Sequence, residues 1–391
     1  MKLGIIGLGA RAAVYSNRLI TNPEFKEHTV VATCDIDETR LEYFTNAHFG
    51  KQEKLPTKYK DWKDLLNDPE VEGILITTPD HAHMEIALAA MEKGLPMILE
   101  KPIEAAPERA VEIYKAGKDY DKTIALGFVL RYTNFYEKIK EIVDSGELGT
   151  LVSLTASENL DKNHSSSYFR RWHRYNKFSG GMMNTKCCHD IDILRFVTGG
   201  EMKSIVAFGS NSFYVPKAKE GAAEHCKDCK YKDECIYSFN YRNYESPYRW
   251  NCEKDLCIYN CEKDVFDRHT MIIEYESGLL ANFELVMFSG AETRLITLHG
   301  TKATLEGDFT EMTIKITPLD KTKEITTIKL PPATSGHGGG DDHLLREFFR
   351  SAKGECDTIN HTYDGFVATL AALAADISAR ESRIVRMDEF K

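Results

Sequence analysis

The chain of 391 residues lacks any apolar run of 18 residues or more, which argues against a transmembrane helix. It also lacks an apolar leader, because Met1–Gly7 runs directly into a strand-like segment, so we expect no secretory signal and a cytoplasmic location. An excess of positive charge is missing too: 50 Lys and Arg face 60 Asp and Glu, a net charge of −10. We therefore expect no nucleic-acid partner and no membrane partner.

Internal repeats and low-complexity tracts are absent as well. The composition, with 42% hydrophobic and 28% charged residues, is that of a folded protein and excludes a mostly disordered chain. At roughly 150 residues per domain, the length allows two or three domains. In a reducing compartment the ten cysteines are expected to be thiols or metal ligands before disulfides.

The first 125 residues alternate short apolar runs with helix-like segments, a pattern typical of a doubly wound parallel sheet. The predicted strands are Lys2–Ile6, Val30–Cys34, Val71–Thr77, Pro96–Leu99 and Thr123–Val129. Between the third and fourth strands, His83–Lys93 has the apolar spacing of a helix. We predict an α/β domain over residues 1–124.

The rest of the chain, residues 125–391, reads as an α+β domain with a large, mostly antiparallel open sheet. One face would pack on helices, and the other would meet a ligand or a partner subunit. The predicted strands are Leu151–Ser157, Ser204–Tyr214, Met271–Glu276, Leu279–Met287, Thr293–Leu298, Met312–Ile316 and Ile325–Leu330. The predicted helices are Asn134–Val143, Asp342–Ser351 and Tyr363–Ala379. Residues from about 217 to 266 follow neither pattern and are predicted to be a Cys-rich insertion.

A glycine-rich turn, G-L-G-A-R-A, follows the first strand and begins a helix. The first glycine allows a tight turn, the second lets the backbone approach a pyrophosphate, and the final alanine lets the helix pack closely on the strand. The second strand ends at Asp35, where a carboxylate would bind ribose hydroxyls and repel a 2′-phosphate. This combination predicts a Rossmann site for NAD, and Arg40 is the residue that could shift it to NADP. The candidates here are Gly7, Gly9, Ala10, Arg11, Ala12 and Asp35.

Two further loops, Thr77–His83 and Glu100–Pro102, follow the third and fourth predicted strands. Loops at the carboxyl ends of parallel strands meet at the ligand crevice, so both are expected beside the cofactor. The alternative for the histidines of the first loop is a polar helix start at the surface. The candidates are Thr78, Pro79, His83, Glu100 and Lys101.

The motifs G-x-G-x-x-A, T-P-x-H-x-H, E-K-P and G-G-x(7)-H-x-x-D occur in this order. Together they resemble the Gfo/Idh/MocA family, which includes glucose–fructose oxidoreductase and inositol 2-dehydrogenase. The resemblance covers both halves apart from the insertion. It implies a nicotinamide cofactor, a small-molecule sugar, sugar-derivative or cyclitol substrate, and a homodimer or homotetramer.

The resemblance also implies residue roles. Lys101 would contact the substrate hydroxyl, His189 would be the general acid/base, and Arg131 is similar to the family's active-site arginine. Physical chemistry agrees, because a cation beside a hydroxyl stabilises the alkoxide that develops during hydride transfer. A histidine titrates near neutrality and can take the hydroxyl proton.

The chain departs from the family four residues before His189, where the family often has an aspartate. Thr185 stands there and is a substrate-site candidate, and Lys186 follows it. We predict Lys186 to be a second acid/base or to bind an anionic group; the alternative is a surface lysine. Asp192 is expected to orient a neighbour or to cap a local network, and not to be catalytic.

Three further substrate candidates lie elsewhere. Trp172 and His173 belong to an eight-residue segment of arginines, aromatics and one histidine, a composition that suits contacts with phosphate, carboxylate or sugar rings. His337 precedes three glycines that permit close backbone approach. The alternatives are an exposed basic loop and a plain flexible connection.

Six of the ten cysteines fall within 36 residues. Thiolates this close suit a tetrahedral zinc or, less well, an iron–sulfur cluster, and a structural zinc would order a segment that lacks its own core. Free thiols or disulfides are the alternative, and no catalytic metal is expected. The candidate ligands are Cys226, Cys229, Cys235, Cys252, Cys257 and Cys261.

The sequence thus predicts an NAD-dependent oxidoreductase that exchanges a hydride with a sugar or cyclitol hydroxyl, with Lys101 and His189 flanking it. The alternative is a redox-neutral glycosidase, in which oxidation of a ring hydroxyl acidifies the neighbouring C–H, the aglycone is eliminated, and the cofactor is reoxidised. The missing aspartate and the presence of Lys186 would fit such altered acid–base roles. A non-catalytic, zinc-stabilised sensor is a third interpretation, which Lys101 and His189 argue against.

Overall fold

The computed structural model describes residues 1–216, 221–239, 255–332, 336–358 and 362–390. The described residues form two compact units. The first contains Met1–Val129 and Gly340–Phe366, and the second contains Leu130–Phe239, Asp255–Gly339 and the chain from Val367 onward. The sequence-based boundary at 124/125 stays a prediction. None of the described helices is both long enough and apolar enough to span a membrane.

A six-stranded parallel sheet, in the order β3-β2-β1-β4-β5-β6, forms the centre of the first unit. The three strands β4, β5 and β6 are buried along their whole length, as expected where helices cover both faces. The predicted doubly wound sheet is confirmed. The strands are β1 (Lys2–Ile6), β2 (Thr29–Cys34), β3 (Thr57–Tyr59), β4 (Gly73–Ile76), β5 (Met97–Leu99) and β6 (Ile124–Leu126).

The helices of this part of the chain start at recognisable signals. The Asp37 side chain accepts a hydrogen bond from the Arg40 amide and caps the second helix, and Pro107 begins the fifth at a position where its missing N–H has no cost. The helices are α1 (Ala10–Thr21), α2 (Glu38–Phe49), α3 (Trp62–Leu66), α4 (His83–Glu92) and α5 (Pro107–Gly117).

A nine-stranded sheet forms the second unit, in the order β14-β13-β12-β11-β7-β10-β9-β8-β15. Every neighbouring pair is antiparallel except β7 with β10, so the predicted mostly antiparallel sheet is confirmed. The strands are β7 (Leu151–Asn159), β8 (Met202–Ser210), β9 (Arg268–Tyr275), β10 (Leu280–Val286), β11 (Thr293–Gly300), β12 (Ala303–Asp308), β13 (Thr313–Pro318), β14 (Thr326–Lys329) and β15 (Val385–Arg386).

Helices cover one face of this sheet. The Ala207 amide on β8 donates to Ser378 Oγ of the last long helix, and a Cβ at Gly307 on β12 would lie 3.0 Å from the Phe135 ring. On the opposite face Phe208 and Ile272 are 77% and 48% exposed. The remaining helices are α6 (Asn134–Asp144), α7 (Lys162–Phe169), α8 (Asn176–Ser179), α9 (Met182–Thr185), α10 (Cys188–Thr198), α11 (Gly340–Ala352) and α12 (Thr362–Glu381).

The described part of the insertion packs around aromatic rings. Phe213 stacks on Phe288 at 4.7 Å between ring centroids, and the Arg170 guanidinium donates to the Leu256 and Tyr237 carbonyl oxygens. The described residues of the insertion thus pack on side chains from outside it, and the expectation that the segment lacks a core of its own stays a prediction. The rings are Phe169, Phe213, Tyr214, Tyr237, Tyr259 and Phe288.

Candidate active site

The turn between β1 and α1 has the shape that a bound pyrophosphate requires. Gly7 has φ +88°, and a Cβ there would lie 2.7 Å from the Thr78 amide nitrogen, so only glycine fits. At Gly9, a Cβ would have nothing within 4 Å, and Ala10 is exposed. No described side chain caps α1, so its first amides are not satisfied by a capping side chain. These residues fit a dinucleotide phosphate at a helix N-terminus.

Asp35 is held at the end of β2 by several donors. The Leu8 and Asp37 amides each donate to its carboxylate at 2.9 Å, and Arg40 Nη1 lies 3.2 Å from Oδ2. Arg40 also lies 3.7 Å from an Asp37 oxygen. The cation that could favour a 2′-phosphate is therefore balanced by two carboxylates.

The loops after β4 and β5 are joined by the His83 ring. Nδ1 lies 2.9 Å from the Pro102 carbonyl oxygen, and Nε2 lies 3.1 Å from that of Thr78. Because His83 is completely buried, the surface alternative is wrong for this residue. Thr78 and Pro79 themselves are half-buried beside the glycine turn.

Glu100, just before Lys101, accepts hydrogen bonds from inside the protein. Arg11 Nε donates to Oε1 at 2.7 Å and the Tyr15 hydroxyl donates to the same oxygen at 2.6 Å, while Arg11 Nη2 also reaches Asp341 at 2.8 Å. Burial raises the pKa of Tyr15, which keeps it a hydroxyl donor. The predicted cofactor residues Arg11 and Glu100 thus bind each other and hold the strand end from which half-buried Lys101 follows.

In the second unit, His189 is the second residue of α10 and is 7% exposed. The two glycines of its motif allow the chain to pack closely just before α9. Gly181 has φ +89°, and a Cβ there would lie 2.8 Å from Asp376 Oδ1 on α12. This close approach sets the start of α9, which leads to the histidine.

Arg131 and Asp192 form a buried, bidentate ion pair. Arg131 Nε donates to Oδ2 at 2.7 Å and Nη2 donates to Oδ1 at 2.6 Å. The Arg131 side chain is 3% exposed and that of Asp192 is 0% exposed. Asp192 therefore orients a neighbour, as expected, and the neighbour is the predicted substrate arginine.

Lys186 is buried in an ion network that the sequence did not predict. Its Nζ lies 2.6 Å from Glu158 Oε1, and Arg294 Nε lies 2.6 Å from both Glu158 Oε2 and Asp190 Oδ1. The surface-lysine alternative is wrong. Burial by itself would lower the pKa of Lys186, but the Glu158 charge raises it above its usual value.

Glu158 and Arg294 are the site residues that sequence reasoning missed. They are register partners on the neighbouring strands β7 and β11. The sequence did contain a signal for Glu158. Because side chains alternate along a strand, Glu158 lies on the same face of β7 as the buried Leu154 and Ala156. A carboxylate on a buried strand face needs a charged partner.

The aromatic segment after α7 is partly exposed. The Trp172 and His173 rings stack at 3.7 Å, and Tyr168 meets His173 edge-on at 4.8 Å. Of the other candidates, Thr185 is buried at the end of α9, and His337 lies in a 3₁₀ turn, Gly336–Gly339. Their predicted contacts with substrate stay predictions.

The nine described cysteines are all outside disulfides. Across the described ranges, no three His, Cys, Asp or Glu side chains are grouped to hold a metal ion. Cys261 Sγ lies 3.6 Å from the Phe169 carbonyl oxygen, and Cys252 lies outside the described residues. The described residues therefore give no support to zinc or another metal.

Residues 1–128 match the oxidoreductase family with an NAD-binding Rossmann fold, and residues 136–306 match the GFO/IDH/MocA C-terminal domain. The chain belongs to the Gfo/Idh/MocA family of oxidoreductases. The resemblance seen in the sequence motifs is confirmed. Residues 1–128 of the chain are its NAD-binding Rossmann domain.

The similar proteins differ in how much of this chain they cover. The oxidoreductase YteT of Bacillus subtilis is 26% identical over 88% of this chain and 87% of its own length. Inositol 2-dehydrogenase of Salmonella typhimurium is 33% identical over 38% of this chain and 43% of its own. A levoglucosan dehydrogenase, solved with NADH and levoglucosan, has a TM-score of 0.77 at 18% identity and covers 99% of both chains. This last likeness shows the shared fold.

Proposed function

We propose that the protein is an NAD-dependent dehydrogenase that oxidises a hydroxyl of a sugar, sugar derivative or cyclitol, or reduces the corresponding ketone. The observation that carries the proposal is the anchored E-K-P loop. Glu100 is fixed by Arg11 and Tyr15, so Lys101 leaves β5 from a rigid point in the same unit as the dinucleotide turn. The names of two relatives, inositol 2-dehydrogenase and levoglucosan dehydrogenase, support the substrate class.

In this proposal the turn at Gly7 and Gly9 holds the pyrophosphate, and Asp35 accepts hydrogen bonds from the adenosine ribose. The bound nicotinamide supplies the hydride acceptor or donor. Lys101 donates to the substrate hydroxyl and stabilises negative charge on its oxygen, while His189 takes the hydroxyl proton. Trp172 and His173 would contact the sugar ring.

The same residues favour NAD over NADP. Asp35 presents negative charge where a 2′-phosphate would lie, and Arg40 is already paired with Asp35 and Asp37. A phosphate there would have to displace these ion pairs.

We also propose a homodimer or homotetramer, in which a second copy covers the exposed face of the nine-stranded sheet. Phe208, Ile272 and Leu280 expose 77%, 48% and 52% of their surface on the strands β8, β9 and β10. Exposed apolar side chains gathered on one face are typical of an interaction surface. Light scattering of wild type and of Phe208→Glu measures the oligomeric state and tests this. Wild type should be a dimer or tetramer that the substitution weakens, and a monomeric wild type would contradict the proposal.

Turnover with a panel of compounds tests the activity. Purified protein is incubated with NAD and free sugars, cyclitols and glycosides, and NADH absorbance and product mass are followed in the same wells. Net NADH with an oxidised product supports a dehydrogenase. Released aglycone without net NADH identifies the redox-neutral glycosidase, and NADH binding without any turnover favours a sensor.

The variant Lys101→Met separates chemistry from binding. Turnover should fall by at least about a hundredfold, because an oxyanion stabiliser is lost, while NADH affinity stays near wild type. Lys118→Met is the matched control, since Lys118 is an exposed lysine of the same unit. Equal turnover in both variants would contradict the role of Lys101.

A further inference from the structure

The ion network around Lys186 goes beyond what any of the motifs predicted. Two cations and two carboxylates alternate as a chain, from Lys186 to Glu158, to Arg294, to Asp190, with 2.6 Å at each link. Their side chains are between 2% and 14% exposed. Breaking such a buried network is costly, because every charge depends on its neighbour for the solvation it lost.

Two members of the network flank His189, the proposed general acid/base, in the amino-acid sequence. Lys186 lies three residues before His189, and Asp190 directly follows it. The four charges of this ion network sum to zero. The Lys186 charge is therefore already paired and is not available to bind an anionic substituent of the substrate. Arg294 lies inside this network and joins its two carboxylates.

We propose that Glu158 is a positioning residue that holds Lys186, three residues before His189 in the chain, as a permanent cation, so that Lys186 contributes a fixed positive charge rather than a transferable proton. This rests on the proposed function, and it assigns Lys186 an electrostatic role in place of the acid/base role. A lysine that stays charged gives up no proton, so the hydroxyl proton is left to His189.

Six ionisable groups from different elements face Lys186, and all of them enter its titration. Glu158 is the dominant partner because it is the one in direct contact. Tyr168 and Glu292 approach from α7 and the loop before β11. Among the described residues, these six groups are Glu158, Tyr168, Cys187, Asp190, Glu292 and Arg294.

Acylation of lysine amines tests the charge without a substrate. The full-length protein is treated with an N-hydroxysuccinimide acetate over a pH series, and peptide mass spectrometry gives the midpoint at which each lysine becomes reactive. The Lys186 midpoint should lie above that of Lys138, a partly exposed lysine paired with Glu141 on α6. In Glu158→Gln it should fall below that of Lys138, because burial is then uncompensated.

The control is Glu141→Gln, which should leave the Lys186 midpoint unchanged. NADH binding and circular dichroism confirm that each variant is folded. A wild-type Lys186 midpoint below that of Lys138, or one that Glu158→Gln does not move, would overturn the proposal.

Turnover of whichever panel compound reacts tests the role in catalysis. Lys186→Arg keeps the charge and should retain at least about a tenth of wild-type kcat, whereas Lys186→Met should lose about a hundredfold, with NADH affinity unchanged in both. If Arg and Met variants are equal, Lys186 does not act as a fixed charge. If no compound reacts, the proposed function fails, and the acylation midpoints still decide whether Glu158 holds the lysine charge.

Discussion

The first unit places its candidate residues at the ends of consecutive parallel strands, whereas the second collects them from elements far apart in the chain. Gly7, Asp35, Thr78 and Lys101 follow β1, β2, β4 and β5 within a residue or two. Since the carboxyl ends of parallel strands meet at one edge, strand order alone gathers these residues.

The second unit has no such rule. Glu158, Lys186 and Arg294 come from β7, the junction of α9 and α10, and β11. Their contacts depend on which strands are neighbours in a mostly antiparallel sheet. Sites built from backbone can therefore be predicted from local motifs, whereas charge networks depend on which strands and helices become neighbours in the tertiary structure.

The largest expected effect comes from breaking the buried pair of the second unit. Asp192→Ala leaves the Arg131 guanidinium buried without its carboxylate, and should reduce the free energy of unfolding by about 3–5 kcal/mol. Urea unfolding followed by circular dichroism measures it. Glu141→Ala, at the exposed pair with Lys138, should cost less than about 1 kcal/mol. Similar losses in both variants would contradict the importance of burial.

A backbone change should break the first unit's site. Gly7→Ala forces a side chain onto φ +88° and against the Thr78 amide, and should weaken NADH binding by more than about tenfold. Gly94→Ala is the control, because Gly94 also has positive φ but a Cβ there meets nothing within 4 Å. It should lower stability by about 1 kcal/mol and leave NADH affinity unchanged. Wild-type NADH affinity in Gly7→Ala would refute the tight-turn argument.

Buried histidines allow the two units to be compared in acid. Burial lowers the pKa of His269 to about 3 in the second unit and that of His28 to about 4 in the first. Because the unfolded chain takes up the proton first, stability is lost as pH falls from about 6.5 towards these values. His269→Leu should remove up to about 2 kcal/mol of the loss between pH 7 and pH 5.

Thermal melts of wild type, His269→Leu and His28→Leu at both pH values measure this effect. Since no described group bonds to either His269 ring nitrogen, the leucine leaves no described partner unpaired. Parallel pH profiles for wild type and His269→Leu would show that His269 does not set acid sensitivity.

The smallest expected effect concerns cofactor choice. Asp35→Ser removes the charge that repels a 2′-phosphate and releases Arg40 from its main partner, so the ratio of NADPH to NADH affinity should rise by about tenfold. The double variant Asp35→Ser with Arg40→Ala should reverse most of this gain. An unchanged ratio in the single variant would mean that Asp35 does not determine the preference.

Several elements escaped sequence reasoning for physical reasons. β3 has only three residues, exposed or half-buried, so no apolar pattern marks it. β12 contains Gly307, which weakens the strand signal, although a side chain there would press against Phe135 on α6. The aromatic cluster on which the insertion packs was missed because its rings are scattered between Phe169 and Phe288 and show no period.

The α/β and α+β architecture, the family and the dinucleotide turn could be predicted from the sequence, because they depend on apolar periodicity and on a turn in which Gly7 has a positive φ that residues with a side chain rarely adopt. Only the tertiary structure decided that Lys186 is an ion-paired cation and that Arg131 belongs to Asp192. It also showed that Arg11 and Glu100 bind each other. A charged side chain has no fixed role of its own, since its protonation and its position are set by the partners that folding brings to it.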